Sequence, residues 1–227
     1  KTSGAPPSGE GMETAHAILE LFEAQPSSRL TYQQIAARLD GEHPDLSGAV
    51  DHLVETGQLW PAGGRRYTLP SQLGIVRGRI VMRSDGSGFL KAAGERIEID
   101  PRNTSGAIDG DTVLARKLGE LEGEHTFRGK VERIIEEGRK GVSGVLRKRR
   151  DSWYIDPVDP VLPRNIPLTA GSRSGAATGR LVYASLQRKG DRLGAILERV
   201  IGSPGSAEAL IDSVVLDHGL PPEFDEG

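Results

Sequence analysis

Gly78-Arg-Ile-Val-Met-Arg-Ser-Asp85, then Gly86-Ser-Gly-Phe89-Leu90, then Ile97-Glu-Ile-Asp-Pro101 is a stretch that the chain writes twice. Its second copy runs Gly144-Val-Leu-Arg-Lys-Arg-Arg-Asp151, Ser152-Trp-Tyr-Ile155 and Asn165-Ile-Pro-Leu168. In both, a Gly stands seven residues before an Asp, a turn follows, then an aromatic–aliphatic pair and a second short β-like run. Two small β modules that each set a ring beside basic residues are the arrangement that single-stranded nucleic acid requires.

Residues 75–127, which enclose the first copy, read as a five-stranded β-barrel of the oligonucleotide-binding, cold-shock-like type. Its strand-like runs are Ile75–Met82, Gly88–Ala92, Arg96–Ile99 and Thr112–Arg116, with turns at Ser84-Asp-Gly86 and Asp109-Gly-Asp111. Residues 128–202 repeat the plan with longer loops. The runs there are Gly129–Ile135, Gly144–Lys148, Trp153–Ile155, Asn165–Leu168, Gly179–Gln187 and Leu193–Val200. The loop Thr169–Thr178, rich in Gly, Ser and Ala, is expected to be mobile.

Residues 13–70 read as a winged helix-turn-helix. Ala15, Ile18, Leu19 and Phe22 recur at helical spacing, and Thr31 with Gln34 forms a capping box for a second helix. A third helix starts near Asp45 or Ser47 and stops at Gly57; the runs Gln58–Trp60 and Arg65–Leu69 make a hairpin about Pro61–Gly64. Residues 1–12 read as a disordered Gly/Pro/Ser leader, and 203–227 as a helix and linker with apolar Leu210, Ile211, Val214 and Val215. The expected fold class is therefore multi-domain α+β, a winged helix-turn-helix followed by two OB-fold β-barrels.

Composition agrees. Only 36% of the 227 residues are hydrophobic and 4% aromatic, with 30 Gly and 14 Pro, which suits several small loop-rich modules better than one large core. There is no cysteine, so disulfides and thiolate metal sites are excluded and a reducing, cytoplasmic setting is expected. No apolar run reaches membrane-span length, and no membrane partner is expected. The start has no initiator Met and no signal-peptide core, as in a piece of a longer protein.

The net charge of -3 conceals segregation. Residues 128–202 carry 16 Lys/Arg against 8 Asp/Glu; residues 1–74 carry 5 against 9, 75–127 carry 8 against 9, and 203–227 carry none against 6. A strongly basic stretch in an acidic chain points to a polyanionic partner. The winged-helix region is acidic by contrast. Its third helix offers Asp45, Asp51, His52 and Glu55 with no Lys or Arg, which makes it a poor reader of the major groove and suits an accessory role beside wing residues Arg65 and Arg66.

The candidate RNA contacts follow from these patterns. Phe89 is either a stacking ring or a core residue. Of Trp153 and Tyr154, adjacent on one strand, only one can face a ligand while the other packs inward. Arg139, Lys140, Arg147, Lys148, Arg149 and Arg150 form the basic run, with one or two of the last four turned to solvent at a strand end. Arg83, Lys91 and Tyr183 complete the set. The five histidines show no metal-ligand spacing, and no phosphate loop, Gly-x-Ser-x-Gly motif or dense Asp cluster occurs. Asp156 and Asp159, next to prolines, read as turn residues, and Asp111 after Gly110 as a sharp entry into a strand.

The order of modules, with Gly86-Ser-Gly-Phe-Leu90, Ile108-Asp-Gly-Asp111-Thr-Val113, Leu197-Glu-Arg-Val-Ile-Gly202 and His218-Gly-Leu-Pro-Pro-Glu-Phe224, resembles the N-terminal part of the ribonuclease II family of processive 3'→5' exoribonucleases. The resemblance covers the chain from about residue 13. It implies two cold-shock-like barrels that guide single-stranded or structured RNA to a catalytic domain, with the winged helix helping on structured RNA. It also implies Mg²⁺ only for that catalytic domain, whose aspartate cluster is not in this sequence, so this chain alone is expected to bind RNA as a monomer without degrading it. A stand-alone winged-helix regulator of DNA and an OB-fold RNA chaperone are the alternative readings.

Overall fold

The structure, a computed structural model, describes residues 9–39, 41, 43, 45–122, 125–169, 176–190 and 192–217. Residues 1–8 of the expected leader, 170–175 of the expected mobile loop, and 218–227, including the His218–Phe224 segment, lie outside the described residues. The chain divides into two units: one reaches Arg77 and includes Leu114–Lys117, and the other comprises Gly78–Val113 and Leu118 onward.

The first unit opens with α1 (Gly9–Ala24), so residues 9–12 are helical and not part of a disordered leader. The buried residues Gly11, Thr14, Ala15, Ile18 and Phe22 trace one helical face, and the extra turn escapes an apolar-residue search because Gly11 carries its buried position. β1 (Leu30–Thr31) precedes α2 (Tyr32–Ala36), whose capping box of Thr31 and Gln34 is present in both directions. α3 (Leu46–Glu55) is capped by Asp45, which accepts from the Gly48 N–H at 3.2 Å. β2 (Trp60–Pro61) and β3 (Arg66–Thr68) join β1 in a sheet of order β1-β3-β2. Ile18, Phe22, Ile35, Leu53 and Leu59 are its fully buried centre.

Five strands, β4 (Ile75–Met82), β5 (Gly88–Ala92), β6 (Glu95–Ile99), β7 (Thr112–Glu120) and β8 (Thr126–Glu136), close a barrel in the order β4-β5-β6-β8-β7. β8 runs parallel to β6, with Ile97 opposite Phe127 and Ile99 opposite Gly129. The run Gly129–Ile135, expected to begin the second barrel, is thus the closing strand of the first, and the boundary drawn at 127/128 falls inside a strand. Four strands alone would leave the β6 edge unpaired. Alternation along a strand identifies the strand without saying which sheet it joins.

β9 (Gly141–Arg149), β10 (Ser152–Pro157), β11 (Ile166–Pro167), β12 (Leu181–Lys189) and β13 (Arg192–Gly202) form a second sheet in the order β11-β10-β9-β12-β13. A parallel bridge from Leu168 to Ala195, with the Thr169 N–H donating to the Ala195 carbonyl at 2.9 Å, brings its two edges together. Inside lie Val142, Leu146, Ile155, Ile166, Val182 and Ala184.

The repeat has a packing cause. A Cβ on Gly78 would come within 2.7 Å of Leu90, and one on Gly144 within 2.6 Å of the Asp156 carbonyl and into the Ile155 side chain. Each repeated Gly therefore lets its strand cross the next strand's buried aliphatic residue. The barrel and the second sheet meet through the turn Ile108-Asp-Gly-Asp111. Ile108 packs into the core of the second sheet. Asp109 receives Arg139 at 3.2 Å. Asp111 is fully buried and accepts from the N–H groups of Ile108 and Gly138 at 2.9 Å each and from Arg188 Nη2 at 2.9 Å. Arg188 also donates to the Gly106 carbonyl. Asp111 does shape the strand entry, and it is also half of a buried ion pair between the barrel and the second sheet.

α4 (Ala207–Asp217) packs on β9, β12 and β13. It sits down through small residues: Ala209 and Ser213 are buried, and Ser143 Oγ donates to the Ser213 carbonyl at 3.2 Å. Leu210, Ile211 and Val214 point away and are exposed.

Candidate nucleic-acid interface

On β10, Ile155 is fully buried and Trp153, two residues away, packs against the same core, so Tyr154 takes the outer face. The pairing of β9 with β10 sets Arg147 opposite Tyr154, Lys148 opposite Trp153 and Arg149 opposite Ser152. Leu146 is buried, which places Arg147 and Arg149 on the outer face with Tyr154. The Lys148 ammonium lies 5.6 Å from the Trp153 ring centroid, a cation–π contact in the other phase of the ladder. All four residues Arg147–Arg150 are exposed. Arg150 leaves the strand in the left-handed region, at φ 56°.

Beside this face is a cleft of about 450 Å³ bordered by Arg149, Arg150, Trp153, Tyr154, Asn165 and Pro167. Asn165 is a second left-handed residue, at φ 57°. Two non-glycine residues of positive φ flanking one cleft are uncommon, and such conformations concentrate at binding sites. A ring, exposed guanidinium groups and a cleft next to them are what a stacked base and its phosphates need.

In the first barrel, Phe89 is half-buried on β5, paired across to Val81 and Glu98. The Arg96 guanidinium carbon lies 3.8 Å from its ring centroid and that of Arg83 5.1 Å. Glu98 ties both arginines down, taking Arg96 Nε at 2.6 Å and Arg83 Nη1 and Nη2 at 3.0 and 3.2 Å. Burial pushes the Glu98 carboxyl up, but the hydrogen bonds from Arg83 and Arg96 outweigh it and hold the group below its ordinary value. The hydrogen bond to Glu98 likewise raises the Arg83 pKa. Lys91 is exposed on the same strand, opposite Arg96. Arg96 and Glu98 escape a search for rings and basic runs; their alternation with buried Ile97 and Ile99 was the available signal.

Three expected contacts are placed elsewhere. Arg139 lies between Asp109 and Asp159, at 3.2 and 2.8 Å, with its side chain only 18% exposed, so it is engaged by carboxylates and is not a free surface cation. Tyr183 is half-buried on β12 with its hydroxyl against Gly141, where a Cβ would overlap it. β12 is one of the strands on which α4 packs, and burial, and then the charge of Asp217 on α4, raises the Tyr183 pKa. Lys140 is exposed just before β9, at the opposite end of that strand from Arg147–Arg149. Asp156 is not the expected turn residue but a strand residue of β10, opposite Val145, and pairs with Arg164 at 3.0 Å. Asp159 lies in the bend after that strand and accepts from the Val161 N–H at 3.0 Å. Among the described residues no group of three or more His, Cys, Asp or Glu is placed to hold a metal ion, and no helix is long and apolar enough to cross a membrane.

Comparison with known proteins gives one consistent likeness. The family model "Cold shock domain" matches residues 154–225. Ribonuclease R of Acidithiobacillus ferrooxidans is 26% identical over 206 residues, 86% of this chain and 46% of that protein. Among solved structures, ribonuclease R of Mycoplasma genitalium, in complex with ribose-methylated single-stranded RNA, superposes with a TM-score of 0.58 at 17% identity, over 66% of this chain and 25% of that one. Yeast Ssd1, described as a pseudonuclease, gives 0.54 at 15% identity over 75% and 26%. This chain thus spans less than half the length of the relatives it matches, and it resembles ribonuclease R over most of its own.

Proposed function

We propose, from this resemblance to ribonuclease R, that the protein binds single-stranded RNA mainly through the second barrel and is the RNA-recruiting region of a 3'→5' exoribonuclease. The observation that carries the reading is the placement of Tyr154, Arg147 and Arg149 on one exposed face beside the cleft at Arg150 and Asn165. A base stacks on Tyr154 while the guanidinium groups take the flanking phosphates. Nothing in that arrangement reads a base edge through a rigid donor set, so the grip is tolerant of sequence.

The first unit, with helix, strand, two helices and two strands in order, is read as a winged helix. Its α3 carries no Lys or Arg, so it acts as an accessory on structured RNA and not as a groove reader. Guidance of the strand to a catalytic domain, with Mg²⁺ held there, belongs to the parent protein in this reading; the present chain is a monomeric, cytoplasmic RNA binder without turnover of its own. Fluorescence anisotropy with a labelled single-stranded oligoribonucleotide tests it. Binding in preference to duplex DNA is expected, with Tyr154→Ala weakening it roughly 5- to 150-fold, the size of one stacked base. Preference for duplex DNA would favour a DNA regulator instead.

A further inference from the structure

The first barrel does not offer a bare ring. Arg96 lies over Phe89 at 3.8 Å, close enough for its plane to rest on the ring, and Glu98 holds its Nε at 2.6 Å. The pairing of β5 with β6, Phe89 opposite Glu98 and Lys91 opposite Arg96, sets all four side chains on one outer face, since Leu90 and Ile97 between them are buried. Arg83 closes the cluster from the turn after β4, bonded through both terminal nitrogens to the same carboxylate. A base reaching the covered face of Phe89 would have to break a charge-assisted hydrogen bond and a cation–π contact together. A base laid on the guanidinium breaks neither.

We propose that Arg96 is the stacking surface of the first barrel: a nucleobase of single-stranded RNA rests on the outer face of its guanidinium, backed by Phe89 and held in plane by Glu98. The inference rests on the RNA-binding reading above and adds a second base site to it. The Arg96 side chain is 35% exposed, and its guanidinium is a flat, weakly hydrated cation of the kind that stacks on aromatic planes. Glu98 offsets part of the local positive charge of Arg83 and Arg96, which directs a neutral base here and leaves the neighbouring phosphate to exposed Lys91. Arg and Lys are not interchangeable at such a site, because Lys brings the charge without the plane.

The test measures the Kd of a single-stranded oligoribonucleotide for the whole chain and for Arg96→Ala, Arg96→Lys, Phe89→Ala and the Phe89→Ala/Arg96→Ala pair, with circular dichroism as a fold control. Arg96→Ala and Arg96→Lys are both expected to weaken binding, roughly 5- to 150-fold, and the pair no more than Arg96→Ala alone, because ring and guanidinium make one platform. Unchanged or tighter binding by Arg96→Ala would make the guanidinium a cover over Phe89 and overturn the proposal. Retained affinity in Arg96→Lys would overturn it too, in favour of a point charge. If Tyr154→Ala weakens binding while the Arg96 variants do not, this inference fails and the wider reading stands; if the unaltered chain does not bind, both fail.

Discussion

Trp153 and Tyr154 are neighbours that differ by one step of the strand, and that step decides what each does. Trp153 shares its face with buried Ile155, whereas Tyr154 shares its face with Arg147 across the ladder. Trp153→Ala is therefore expected to cost about 3 kcal/mol of stability, the low end of the range for aromatic truncation because the indole is only partly covered. Tyr154→Ala should leave stability nearly unchanged and lower RNA affinity; urea unfolding of both variants separates the two roles. Asp217, at the end of α4, carries a different kind of prediction. Burial pushes its carboxyl above the ordinary 3.8. Between the ordinary and the raised value the folded state holds a proton that the unfolded chain has lost, so stability falls as pH rises through that window. Asp217→Asn should melt higher than the unaltered protein at pH 7, with the difference vanishing by about pH 3. A lower melting temperature at pH 7 would contradict it.

At the scale of elements, the repeat was legible because a Gly must recur where a strand crosses a buried aliphatic side chain. Gly78 with Leu90, and Gly144 with Ile155, put Phe89 in phase with Tyr154 and not with Trp153. The sequence left that choice open, since both rings follow the same turn. The second helix and its capping box were legible for a similar reason: Thr31 and Gln34 are three residues apart, and local hydrogen bonds leave a local trace. What was not legible is long-range. The turn at Asp109–Asp111 is visible as a turn, but nothing nearby announces that Arg139 and Arg188 close on it. Likewise β8 reads as a strand without naming its sheet. Arg188→Met should cost about 3–5 kcal/mol by leaving Asp111 buried without its counter-ion. Pairing it with Asp111→Asn should restore part of that loss, and chemical denaturation of the three variants checks both statements. A cost below about 1 kcal/mol for Arg188→Met would make the pair incidental.

For the whole molecule, the basic excess of residues 128–202 is divided between two uses. Arg139 and Arg188 are engaged inside the protein, on Asp109, Asp159 and Asp111, while Arg147–Arg150 remain exposed at one strand end. Net charge by segment therefore overstates the surface available to RNA, and Arg147 and Arg149 are the cations that the outer face of β9 and β10 sets beside Tyr154. The slope of log K against log salt for a single-stranded oligoribonucleotide, taken with the unaltered chain and with Arg147→Ala/Arg149→Ala, tests that placement most directly. The predicted result is a steep negative slope that becomes shallower by about 1.4 in the double variant, two phosphates at about 0.7 each. A slope and affinity that the double variant leaves unchanged would contradict it.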